Sequence, residues 1–134
     1  MAVQRAVRTA SFKAGATIAK YAPVKNDTVK GKGFVIPTTA NSDKTIGFAQ
    51  LDALEEQELP VALIGSVLKM RVGSAGVSQN DWVGLDSSDP SEIETLTLSA
   101  TGTTIRQVIG LALESGNEND YIEVLLQSFC DKTA

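Results

Sequence analysis

The chain has 134 residues, 43% of them hydrophobic and 21% charged, with no histidine and a single cysteine, Cys130. That composition is ordinary for a folded globular chain and argues against wholesale disorder. It removes histidine-dependent triads, most zinc and iron sites, and any intramolecular disulfide framework.

The net charge of −4 conceals an asymmetry. Residues 1–32 carry seven basic side chains (Arg5, Arg8, Lys13, Lys20, Lys25, Lys30 and Lys32) against one acid, Asp27, whereas the remainder carries five basic and fifteen acidic groups. Such asymmetry marks a tail or arm with a charged partner. The basic residues are spaced singly, with few aromatics to stack on bases and an acidic body that repels phosphate. An acidic protein surface is therefore expected as partner, and nucleic acid is not. No apolar run approaches the roughly 20 residues needed to cross a bilayer, so no membrane partner is expected. Met1-Ala2-Val3-Gln4-Arg5 lacks the apolar segment of a secretory signal, and a lone cysteine fits assembly in a reducing cytoplasm. In a strand, Cys130 reads as a small hydrophobe.

In chain order, residues 1–14 are small, polar and basic and read as an extended arm that orders on contact with a partner. Residues 15–134 read as a single β domain. Ala16 to Ala22 alternates as a strand before Pro23, Gly33 to Pro37 is a short run between breakers, and Thr45 to Ala49 is another. Leu51 to Leu59 holds either a helical turn or an acidic hairpin loop. Pro60 to Val72 is a long apolar stretch in which Gly65 marks a bulge or bend. Gly73-Ser74-Ala75-Gly76 is a turn, Asp81 to Asp86 a strand, and Ser87 to Glu92 a polar loop. Glu94 to Ser99 alternates strictly, with Leu96 and Leu98 on one face, as a half-buried strand does. The last strands are Arg106 to Leu113 and Tyr121 to Phe129, joined by a polar turn.

An internal similarity runs through this pattern. Ile46-Gly47-Phe48-Ala49, an acidic connection and Val61-Ala62-Leu63-Ile64 are matched by Ile109-Gly110-Leu111-Ala112, an acidic connection and Ile122-Glu123-Val124-Leu125-Leu126. Two related hairpins, each too small to bury its apolar face alone, would pack into one small β-barrel or β-sandwich.

Candidate chemistry is sparse. Gly31-Lys32-Gly33 lacks the spacing of a phosphate loop and reads as a turn. Glu55-Glu56-Gln57-Glu58 and the group Asp81, Asp86 and Asp89 offer carboxylates. A glycosidase would also need aromatic sugar platforms, and a calcium loop would need denser oxygen ligands. Both clusters read as solvated loops, and Trp82 reads as a core or interface anchor. No catalytic, cofactor or metal residue is assigned, and an enzyme is not expected.

The order of segments resembles one family, the capsid decoration (cement) proteins of tailed phages. The likeness is carried by Ala14-Gly15-Ala16-Thr17-Ile18, Ser42-Asp43-Lys44-Thr45-Ile46-Gly47-Phe48-Ala49 with Leu51-Asp52-Ala53, and Val61-Ala62-Leu63-Ile64-Gly65. It continues through Asn80-Asp81-Trp82-Val83, Ile109-Gly110-Leu111-Ala112 and Ile122-Glu123-Val124-Leu125-Leu126. Asn80 stands where the family has glycine, and Glu58 replaces a loop glycine; both substitutions suit a turn.

The resemblance implies a virion structural protein, often a homotrimer, on the outer surface of an icosahedral head assembled in the host cytoplasm. There it would bridge subunits of the major capsid protein and stabilise the shell. The arm residues Val3, Arg5, Val7 and Arg8, with Lys13, become candidate capsid-binding residues, adding a strand or polar contacts to the shell. Alternatives are a tail-tube or head–tail joining protein, or a small carbohydrate-binding β module.

Overall fold

The structure, a computed structural model, describes residues 9–133. Among the described residues the fold is all-β: ten strands and no helix, arranged as a closed five-stranded barrel and a second five-stranded antiparallel sheet.

The barrel is built from β1 (Thr9–Ala14), β2 (Pro23–Asn26), β3 (Phe34–Pro37), β4 (Gly47–Ala49) and β5 (Glu58–Ala62). The second sheet comprises β6 (Val67–Arg71), β7 (Trp82–Leu85), β8 (Ile93–Thr95), β9 (Thr104–Ala112) and β10 (Tyr121–Thr133). The barrel closes through a parallel pairing of β1 with β3, at Ala14↔Val35. In the second sheet an isolated parallel bridge, Val72↔Ile93, stands at the matching place.

The two halves repeat one another in register, strand for strand. Lys13↔Glu58 in the first corresponds to Arg71↔Tyr121 in the second, and Phe48↔Ala62 to Leu111↔Leu125. Val24 pairs with Pro37 and Gly47, and Val83 pairs with Thr95 and Gly110 in the same way. Bridge Ile18↔Ala53 is matched by Val77↔Gly116. Even the left-handed residues coincide: Tyr21 (φ 69°) with Asn80 (φ 74°), and Glu56 (φ 73°) with Asn119 (φ 68°). The similarity seen in the sequence as two hairpins is therefore one part of a duplication that covers all five strands.

Each half buries its own apolar cluster. Ala14, Ile18, Val24, Val35, Ala49, Leu59 and Val61 fill the barrel. Leu68, Met70, Val72, Val83, Ile93, Ile109, Ile122 and Val124 fill the second half, and Phe48 and Ala62 of the first half belong to that second cluster. The halves are joined by further contacts. The Thr45 N–H donates to Gln107 Oε1 and Gln107 Nε2 donates to the Thr45 carbonyl, each at 3.0 Å. The Thr38 hydroxyl donates to the Pro90 carbonyl at 3.1 Å, and the rings of Tyr21 and Tyr121 lie 5.4 Å apart. Gly65, at φ 95°, turns the chain from β5 to β6, and its N–H donates to the Leu126 carbonyl.

Several expected boundaries move. Thr9–Ala14, assigned to the arm, is a barrel strand paired with β5 over five residues, because Phe12 packs against the barrel's apolar cluster and Ala14 is buried in it while Thr9, Ser11 and Lys13 stay exposed. Ala16–Ala22 is no strand. Only Ile18 bridges there, and the left-handed Tyr21 breaks the run so that pairing begins at Pro23. Leu51–Gln57 forms a loop closed by a Gln57 side chain that accepts from the Leu54 N–H. The strand expected at Glu94–Ser99 spans Ile93–Thr95, after which Leu96 is buried and Leu98 meets Thr133 in a single bridge.

Candidate functional site

Of the five proposed partner-binding residues, Val3, Arg5, Val7 and Arg8 lie outside the described residues. Lys13 lies on β1, exposed, with its backbone N–H donating to the Gly33 carbonyl at 2.8 Å. Around it Phe12, Lys32, Phe34 and Glu58 border a shallow depression of about 300 Å³. Strand alternation puts Ser11 and Lys13 outward beside Glu58, whose carboxylate accepts from the Ser11 hydroxyl at 2.7 Å. The Gly31-Lys32-Gly33 turn, left-handed at both glycines (φ 96° and 89°), presents the exposed Lys32 on the same face. This face combines two lysines with two half-buried phenylalanines, so it suits a protein surface carrying acid and apolar groups.

The acidic clusters are spent on structure. Lys30 Nζ bonds both Glu55 and Glu56, and those bonds raise the ammonium's affinity for its proton. Asp27 and Asp86 are buried equivalents, each accepting two successive backbone N–H groups of the turn that follows: Val29 and Lys30 for Asp27, Ser88 and Asp89 for Asp86. Asp81 accepts from the Ser78 N–H and the Thr95 hydroxyl. Asp89 is held below the usual carboxylate range by the Ser91 hydroxyl and N–H, with Arg71 nearby. Glu92 is pushed up by burial, against the pull of Arg71 at 3.0 Å. Among the described residues no group of three or more His, Cys, Asp or Glu side chains is placed to hold a metal ion.

Two further depressions, which pattern reading of the sequence did not find, are copies of one site. Thr17, Ile18, Ala19, Asp52, Ala53 and Leu54 line about 260 Å³ in the first half. Their counterparts Gly76, Val77, Ser78, Ser115, Gly116 and Asn117 line about 490 Å³ in the second. The first copy is apolar, with Leu54 61% exposed at its rim, while Asp81 and Asp120 make the second polar. Only the full duplication exposes this equivalence, since the loops that form the two sites share little sequence.

A wider groove of about 560 Å³ runs between the Asn41–Thr45 loop of the first half and the ends of β9 and β10. Ile105 is 67% exposed along it, and Cys130, expected as a small hydrophobe in a strand, is exposed there too. Trp82 is half-buried at the start of β7 and meets Phe129 edge-on, ring centroids 5.2 Å apart.

The chain matches no protein-family model and no curated protein.

Proposed function

We propose that this is a virion structural protein that binds the outer surface of an assembled phage capsid as a homotrimer, bridges subunits of the major capsid protein and performs no chemistry of its own. One observation carries this reading. The resemblance to decoration proteins rests on segments of which Ile46 to Ala49, Val61 to Gly65, Asn80 to Val83, Ile109 to Ala112 and Ile122 to Leu126 contribute to paired strands of the two repeated halves, while Gly15 to Ile18, Ser42 to Thr45 and Leu51 to Ala53 lie in the connecting loops. One further feature supports it: the acidic clusters are engaged in turns and ion pairs.

The mechanism is linkage. A protein that binds only the finished shell stabilises it by RT ln(1 + [L]/Kd), about 4 kcal/mol at a thousandfold excess over Kd. Three contacts in one trimer act together through effective concentration. The test is to strip purified phage heads, add the protein back, and measure occupancy by electron microscopy together with the heat resistance of the heads. Saturable occupancy on the outer surface and a raised disruption temperature are expected. A ring at the neck, or no binding, would reject the assignment.

A further inference from the structure

The contact between the two halves is made by two different faces. The first half offers Tyr21, Ala22, Thr38 and Phe48, and the second offers Arg71, Pro90 and Tyr121. An interface between unlike faces of two similar units is heterologous, and it leaves one face of each kind without a partner. On the second half the free face is the counterpart of Tyr21, Ala22 and Phe48, namely Asn80, Asp81 and Leu111; the counterpart of Thr38, Leu96, is buried, so the Thr38–Pro90 hydrogen bond is not repeated there. On the first half it is the counterpart of Arg71, Pro90 and Tyr121, namely Lys13, Lys32 and Glu58.

We propose that copies of this chain associate head to tail, the second half of one molecule docking on the first half of the next in the geometry that joins the halves within each chain. Transferring the internal contact onto the free faces brings complementary groups together. Ala22 and Arg71 border the same cleft inside the chain, so Asp81 comes opposite Lys13. The Tyr21–Tyr121 ring contact becomes Asn80 opposite Glu58, an amide donor facing a carboxylate.

The chemistry of each free face matches what the transfer requires. Lys13, Lys32, Glu58 and Asn80 are all exposed. Asp81 is half-buried, and its bonds to Ser78 and Thr95 both fall on one carboxylate oxygen. Leu111, the counterpart of the buried Phe48, is half-buried on β9. A charged pair and an apolar patch at one contact set orientation and supply attachment together. This deepens the trimer reading above and rests on it only for the number of copies.

Cysteine pairing tests the arrangement. In a Cys130→Ser background, Gln79→Cys and Glu58→Cys are purified separately, mixed and oxidised. The mixture is expected to give a disulfide-linked species of two chains, while each variant alone stays a single chain. Light scattering is expected to show that Lys13→Glu falls to one chain with an unchanged circular dichroism spectrum and that Lys13→Arg assembles like the parent.

The proposal is overturned if the mixture fails to cross-link, if either variant links to itself as readily, or if Lys13→Glu assembles normally. Shell binding is scored on the same samples. Cross-linking without shell binding rejects the capsid assignment and leaves this interface standing, whereas shell binding by chains that never cross-link does the reverse.

Discussion

Gly15 and Gly73 are equivalent residues held by the same constraint. A Cβ on either would come 2.1 Å from the outer carboxylate oxygen of the buried aspartate beneath it, Asp27 or Asp86. The glycine is needed for close approach, because that carboxylate must lie under the chain to hold the turn that follows. Gly73→Ala, and Gly15→Ala likewise, is expected to destabilise the protein by about 1–3 kcal/mol, as overpacking does, measured by urea unfolding.

Asp43 makes a pH-dependent contribution. Burial works against its charge, but the N–H groups of Thr39 and Ala40 and the Lys25 ammonium at 3.0 Å outweigh it and hold the carboxyl below its ordinary value. A depressed folded-state pKa means that the stabilisation is complete above the unfolded-state value of about 3.9 and disappears as pH falls through the folded one. Asp43→Asn should therefore cost about 1 kcal/mol at pH 7 and progressively less as pH falls below the unfolded-state value, read from melting temperatures across the acid range. Glu92 has the opposite sign. Its raised value means that protonation on acidification adds stability, which partly offsets the loss at Asp43.

At the scale of elements, β1 separates two truncations that the sequence alone would treat alike. Removing residues 1–8 leaves every pairing of β1 with β5 in place, whereas removing 1–12 takes away four of the five paired positions, Thr9 to Phe12. The shorter deletion is expected to keep the native melting temperature within about 2 °C, while the longer one opens the barrel and lowers it by 10 °C or more, on the order expected when a small domain loses several kcal/mol. Capsid binding by the shorter variant then reports on Val3, Arg5, Val7 and Arg8 without confounding from the fold.

Strands between tight bounds were legible in the sequence, as at Phe34–Pro37, Gly47–Ala49, Trp82–Leu85 and Thr104–Ala112, whereas the segments read from alternation were not: Ala16–Ala22 is no strand and Glu94–Ser99 shrinks to Ile93–Thr95. β2 was not, because a strand that starts on proline and carries lysine and asparagine has no apolar rhythm, and only Pro23 and Val24 of it are buried. Tyr21 misled in the other direction. Tyrosine is a good strand residue, and only the fold forces it to the left-handed conformation that its counterpart Asn80 adopts readily. The bonding of Asp27 and Asp86 escaped notice because their partners are backbone groups, which leave no trace in side-chain pattern.

For the whole molecule, Phe48 is the coupling residue. It stands on β4 of the first half, 1% exposed, and packs in the second half's cluster. Phe48→Ala is expected to cost about 3–5 kcal/mol and to split one calorimetric transition into two, because the remaining inter-half contacts are mainly polar. A single sharp transition in that variant would show that the polar contacts and the Tyr21–Tyr121 pair suffice to unite the halves.

A duplicated fold on one polypeptide also escapes a restriction that binds assemblies of identical subunits. There, a substitution appears at every position around the ring at once, so an acid gained on one face is imposed on all of them. Here the two halves vary independently, and the paired depressions display the result, one lined by Leu54 and the other by Asn117 in its place. Neighbouring lobes can thus be adapted to unlike surroundings by changes in a single chain.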